Sequence, residues 1–322
     1  MTTPLDPDER LEMLEAALEP VQGDDDMAEA GRKILLKQFI TMLQHEAGSK
    51  TGEDIEDVHD MRVAIRRMRS TFSLLESYYK PKAIQNHLKG LRKTARVLGS
   101  VRDLDVLITN MTEFQATLDE DNAKAFQSFI DTLDEQRTLA RHDLVRYLNK
   151  GEYQRFITHF SQFLLHKGSG ARSVETDGIQ TNQVRFILPT LLYSHLGQVR
   201  AYDDVIADAD APTLHALRIE FKRLRYIVAL FSEVLGTSIN DFVKEIKVVQ
   251  DHLGRMNDID TAQIYLQDVI KHADENTAIL LTSYLGNLEV ELGELRGQVD
   301  RIWKRFNTRT VQKQLANAIA AL

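Results

Sequence analysis

One pattern in this 322-residue chain returns after a fixed interval, and that return limits the fold more than any other feature. His59-x-x-Arg62-x-x-x-Arg66-Arg67-x-Arg69 is repeated 156 residues later as His215-x-x-Arg218-x-x-x-Lys222-Arg223-x-Arg225. A second element follows at an offset of 155. Lys89-x-x-Arg92 with Leu98-Gly99-x-x-Arg102-Asp103-x-Asp105 is matched by Lys244-x-x-Lys247 with Leu253-Gly254-x-x-Asn257-Asp258-x-Asp260. Two elements in the same order at nearly the same offset mark two copies of one structural unit.

The unit is helical. Apolar residues recur at three- and four-residue spacing over about 27–47, 54–79, 81–98, 102–118, 121–149 and 151–166, and strand-like alternation is nowhere sustained. The short connections suit antiparallel helices. The Leu98-Gly99 step is read as a break between two helices, with the aspartates after it as helix-start residues. The stretch KGSGARSVETDGIQ lacks apolar periodicity and reads as linker. The expected organisation is an acidic N-terminal appendage over 1–26, a first repeat over 27–166, a linker over 167–181 and a second repeat over 182–322.

Composition narrows the function. The chain has no cysteine, so disulfides, thiolate metal sites and a cysteine nucleophile are excluded. Its start lacks the basic and apolar regions of a signal peptide, and no run approaches a membrane span, so a cytoplasmic protein is expected. Residues 1 to 31 carry ten carboxylates against one arginine, so that leader outweighs the net charge of -8 by itself and the remaining residues sum to +1. The rest is close to neutral and can hold a basic site.

That site is visible on the repeated helix. With His59 as zero, Arg69, Arg62 and Arg66 fall at about 280°, 300° and 340°, while Ala64, Met68, Met61, Phe72 and Ile65 fall between about 140° and 240°. Arg67, at about 80°, lies on the other flank and is read as structural, paired with its counterpart Arg223 to the motif aspartates. The second copy repeats the face with His215, Arg218, Lys222 and Arg225 and adds Tyr226, but places Glu220 where the first has Ala64. On the next helix Lys89, Arg92, Lys93 and Arg96 share an arc of roughly 100°. The second copy keeps Lys244 and Lys247, with Val248 and Asp251 replacing Lys93 and Arg96. Lys37, on the first bundle helix, is a further candidate.

Like charges at i,i+3 and i,i+4 cost about 0.2–0.5 kcal/mol per pair on an isolated helix. No acid on that face of either copy offsets them, which points to an anionic ligand. Arginine binds phosphate oxygens bidentately and lysine adds a point charge, so several phosphates fit best. A nucleic-acid backbone is an alternative, but only Tyr226 supplies an aromatic platform on the face. A Mg²⁺-dependent phosphate-processing enzyme is another, through Asp103, Asp105, Asp258 and Asp260. The histidines stand among arginines without HExxH spacing, and no Walker-type GxxxxGK[ST] or GxSxG sequence occurs. A binding protein that is not an enzyme, with no metal and no cofactor, is the expectation.

The doubled His-x-x-Arg-x-x-x-(Arg/Lys)-Arg-x-Arg helix, with its Leu-Gly-x-x-(Arg/Asn)-Asp-x-Asp element, resembles the CHAD family, the conserved histidine alpha-helical domain. The resemblance spans roughly residues 27–320. It implies an all-α fold of two four-helix-bundle repeats related by a pseudo-two-fold axis, with a basic central channel that binds inorganic polyphosphate. By the same resemblance His59, Arg62, Arg66, Arg69, His215, Arg218, Lys222 and Arg225 line the channel, and Lys89, Arg92, Lys244 and Lys247 extend it. Some relatives carry a fused triphosphate tunnel hydrolase domain; nothing before residue 27 is long enough for one, so a stand-alone module is implied. Work at polyphosphate granules is the role such binding would serve.

Overall fold

The structure, a computed structural model, describes residues 6–172 and 182–322. Residues 1–5 of the leader and 173–181 of the expected linker lie outside the described residues. All regular structure described is helical, apart from two isolated bridges, Asp26 with Gln183 and Tyr79 with Ala171. The contacts separate two compact units. Unit 1 runs to Met111 and resumes over Asp131–Ile187; unit 2 comprises Thr112–Ile130 and Leu188–Leu322.

Unit 1 is built from α1 (Pro7–Ala16), α2 (Met27–Gln44), α3 (Glu46–Thr51), α4 (Ile55–Leu74), most of α5 (Pro81–Gln115) and of α6 (Glu120–Leu148), and α7 (Gly151–Leu165). The basic helix α4 starts where the Asp54 side chain accepts from the Glu56 backbone N–H at 2.8 Å, satisfying an otherwise orphaned donor. Its apolar face is the expected one: Met61, Ala64, Ile65, Met68 and Phe72 are at most 1% exposed. Phe72 joins an aromatic core in which Phe39 meets Phe160 edge-on at 5.0 Å and Tyr79 lies 5.8 Å from Phe72. The buried Tyr79 hydroxyl donates to the Ala28 carbonyl at 2.6 Å. The acidic leader is tied into this unit. Leu14 of α1 is fully buried, and the buried Lys33 ammonium takes Asp25 at 2.8 Å.

Unit 2 contains most of α8 (Val184–Arg200), then α9 (Ala211–Leu230), α10 (Ser232–Leu235), α11 (Asn240–Ile270), α12 (Glu275–Phe306) and α13 (Arg309–Ile319). The second basic helix, α9, has the same start: Asp210 accepts from the Thr213 N–H at 2.9 Å, and Pro212 occupies the first turn. Phe221 on its buried face packs against Phe306 at 4.8 Å, beside Trp303. The Trp303 indole N–H donates to Asp203 at 2.6 Å. The end of α5 and start of α6 also belong here, where Phe114 meets Phe126 and Tyr284 at 5.5 and 4.8 Å.

Two expectations are corrected. The helices expected at 81–98 and 102–118 are one continuous helix of 35 residues, α5, and Gly254 likewise lies inside α11. Glycine weakens a helix interior by about 0.5–1 kcal/mol relative to alanine, which is why Gly99 reads as a break. The apolar period nevertheless passes through it, with Leu91, Leu98, Val101 and Met111 all buried. The motif aspartates are therefore mid-helix residues and not helix starts. The helix expected over 27–47 also divides, at His45, into α2 and α3.

Candidate polyanion-binding faces

In unit 1 the helical phase of α4 turns Arg66 and Arg69 to solvent and leaves His59 and Arg62 half-buried. On α5, Lys89, Arg92 and Arg96 are exposed. Two pairs join the helices: Arg62 Nη1 lies 3.4 Å from an Asp103 carboxylate oxygen, and Arg102 Nη1 lies 3.5 Å from Glu56. Arg66 lies about one turn beyond Arg62 on α4, and Arg96 about one turn before Gly99 on α5. The side chains of His59, Arg66, Arg69, Lys89, Arg92 and Arg96 make no hydrogen bond or ion pair with a described residue. Lys93 is turned away, its ammonium paired with Glu152 of α7 and 5.5 Å from the centre of the Tyr147 ring. Lys37 is exposed on α2.

Unit 2 presents the corresponding residues differently. His215 is exposed and its Nδ1 lies 3.1 Å from Asn257 Oδ1 of α11, linking the motif histidine to the motif position that is Arg102 in unit 1. Arg218 is half-buried, and its Nε is buried without a hydrogen-bond partner. Burial lowers the Arg218 pKa while the field of Asp258 opposes that, and a guanidinium so placed remains cationic at neutral pH. Arg218 and His215 border a small cleft with Asn257, Asp260 and Arg296. Lys222, Arg225 and Tyr226 are half-buried along α9, and Lys247 is exposed on α11. Lys244 is also exposed but pairs with Asp241 at 2.8 Å.

The partners expected for Arg67 and Arg223 are corrected here. Arg67 reaches Gln38 of α2 at 3.4 Å, and Arg223 binds Glu220 on its own helix at 2.7 Å. The aspartates are committed elsewhere: Asp103 to Arg62, and the buried Asp105 to Arg137 at 3.7 Å. Burial raises the Asp105 pKa, with Arg137 the foremost opposing charge. Sequence reading missed both the Arg62–Asp103 pair and the role of Gly99. A side-chain Cβ at Gly99 would come within 2.7 Å of Arg62 Nη1, so the glycine is a place of close approach. The available signal was the apolar period continuing through it.

Among the described residues no group of three or more His, Asp or Glu side chains is placed to hold a metal ion. No described helix is long and apolar enough to cross a membrane.

The family model for the CHAD domain matches residues 33–267. The fold is similar to the crystal structure of the CHAD domain from the plant Ricinus communis, with a TM-score of 0.66 and 21% identity over 94% of this chain and 95% of that one. It is also similar to PptA from Streptomyces chartreusis, with a TM-score of 0.63 and 12% identity over 87% and 99% of the two chains. No match was found among curated proteins. At these identities the two structures speak for the fold alone, and the family model covers most of the chain: the chain belongs to the CHAD-domain family.

Proposed function

We propose that the chain binds inorganic polyphosphate along the basic faces of both units and does not process it. The observation that carries the reading is a set of cations without acid partners. Arg66 and Arg69 on α4, with Lys89, Arg92 and Arg96 on α5, make no ion pair with any described residue. Several cations elsewhere on the surface do have partners, as in Lys50–Glu46 at 2.6 Å, Lys124–Glu120 at 2.7 Å and Arg305–Glu245 at 2.8 Å, while the five here lie on two neighbouring helices. Like charges left together on adjacent helices repel, and a flexible chain of phosphates is the ligand that neutralises several at once. A linear polymer that occupies several of these cations at once gains affinity with length. Retention at polyphosphate granules would follow from such binding.

The test is a calorimetric titration against polyphosphates of graded length, beside single-stranded RNA and an inositol phosphate at equal phosphate concentration. Polyphosphate should bind most tightly, with affinity rising with length, and an R66E/R69E variant should lose most of it while remaining folded. Tighter binding of RNA, or an unaffected double variant, would overturn the reading. Release of inorganic phosphate in the presence of Mg²⁺ would overturn its non-enzymatic part.

A further inference from the structure

The two copies of the motif hold the same three residue types in two different arrangements. In unit 1 the Arg62 guanidinium lies close over Gly99 of α5 and is held by Asp103, one helical turn after that glycine. In unit 2 the matching residues are Arg218, Gly254 and Asp258. There Arg218 makes no ion pair with Asp258, its Nε is buried without a partner, and nothing lies within 4 Å of a Cβ built on Gly254. One arginine is paired with an internal carboxylate; its counterpart feels the field of Asp258 without forming an ion pair.

The contact in unit 1 is of a kind that a ligand can replace. It is a single N–O approach at 3.4 Å between side chains that are 37% and 73% exposed. A carboxylate held that way is a weaker partner than a phosphate oxygen pair accepting two parallel N–H groups from the same guanidinium. Exposed pairs of this sort shift an equilibrium by at most about five-fold. The competitor is therefore strong enough to turn away an isolated, singly bound phosphate and weak enough to yield to a polymer already held by Arg66 and Arg96 nearby.

We propose that Asp103 is an internal competitor for the anion site of unit 1, holding Arg62 over Gly99 until a phosphate chain displaces it, so that the two motif arginines differ in how readily they engage phosphate. The inference rests on the polyphosphate reading above and assigns a specificity-determining role to Asp103 and Gly99. Dense polyanions gain the extra arginine; sparse ones meet a face on which Arg62 is already satisfied.

A charge-neutral substitution tests it. Gly99→Ala places a methyl group against Arg62 Nη1, the far end of a flexible side chain, and so dislodges the guanidinium without altering any charge. Gly254→Ala is the matched control, because its methyl group meets open space. In titrations with inorganic polyphosphate at fixed salt, G99A should bind about two- to five-fold more tightly than the wild type. G254A should bind as the wild type does, and D103N should tighten binding at least as much as G99A. Thermal unfolding of each variant checks that all are folded. The inference is overturned if G99A binds no more tightly than the wild type, if G254A shifts as far as G99A, or if only D103N responds, since that outcome is simple removal of negative charge. A wild-type protein that fails to bind polyphosphate overturns the underlying reading and this inference with it, whereas wild-type binding with no G99A effect overturns the inference alone.

Discussion

Salt should weaken polyphosphate binding with a slope that the unpaired cations set. A polyanion sheds condensed counterions when its charges are neutralised, and for a single-stranded polymer log K falls by about 0.7 per phosphate neutralised for each decade of salt. In unit 1, Arg66, Arg69, Lys89, Arg92 and Arg96 form no ion pair with a described acid; in unit 2 the same holds for Arg218, Arg225 and Lys247. The unit 1 cations alone give a slope of about -3.5, and the two sets together about -5.6. Raising monovalent salt from about 50 to about 200 mM should then cost about 10³-fold in affinity. The assay is a series of titrations at several salt concentrations with one polyphosphate length. Removing Arg66 and Arg69 together as alanines should flatten the slope by about 1.4, while Lys124→Ala, which removes a cation already paired with Glu120, should leave it unchanged. A wild-type slope shallower than about -2, or a slope indifferent to the loss of Arg66 and Arg69, would refute the assignment of these cations to the ligand.

Two further outcomes follow from buried titratable groups. His87 on α5 stacks on Phe160 at 4.9 Å and lies 4.7 Å from Phe163, and burial, followed by the charge of His159, pushes its pKa down to about 4. The unfolded chain takes up this proton near pH 6.5 and the folded chain does not, so stability should fall between about pH 6.5 and 4 and level off below. The loss is on the order of 3 kcal/mol, and a His87→Phe variant should lack that share of the pH dependence in urea unfolding. Equal pH profiles for the two proteins would show that the ring is solvated. Asp105 behaves oppositely. Both its oxygens are buried without hydrogen bonds and its folded pKa is raised, so its ionisation is a liability absent below the ordinary carboxylate pKa and growing as pH rises through the folded value. Asp105→Asn should therefore stabilise the protein by about 1 kcal/mol at pH 7 and not at pH 3. Destabilisation at pH 7 would mean that the Arg137 contact outweighs the burial.

Which parts of this protein were legible in its sequence follows from the range of the interactions involved. The buried face of α4 was readable because a 3.6-residue period is a local property, and Met61, Ala64, Ile65, Met68 and Phe72 are indeed buried while Arg66 and Arg69 face solvent. The partners of Arg62 and Arg67 were not readable, because they sit on other helices at distances along the chain that no periodicity encodes. Gly99 shows the same limit from the other side. Its local cost argues for a break, and only the approach of Arg62 from α4 reveals why a glycine stands inside a continuous helix.

That continuity bears on binding. Had α5 been two helices hinged at Gly99, Lys89, Arg92 and Arg96 could have moved toward a ligand independently of Asp103. As one helix of 35 residues, about 52 Å long, α5 holds the three cations and the carboxylate at fixed rise and phase on a common rod. A phosphate chain that engages Arg96 is then about 10 Å along the axis from Asp103 and cannot evade its field by bending the protein. The carboxylate must either keep Arg62 or lose it to the ligand, which makes the charge density of the polymer, and not a motion within α5, the quantity that decides the outcome.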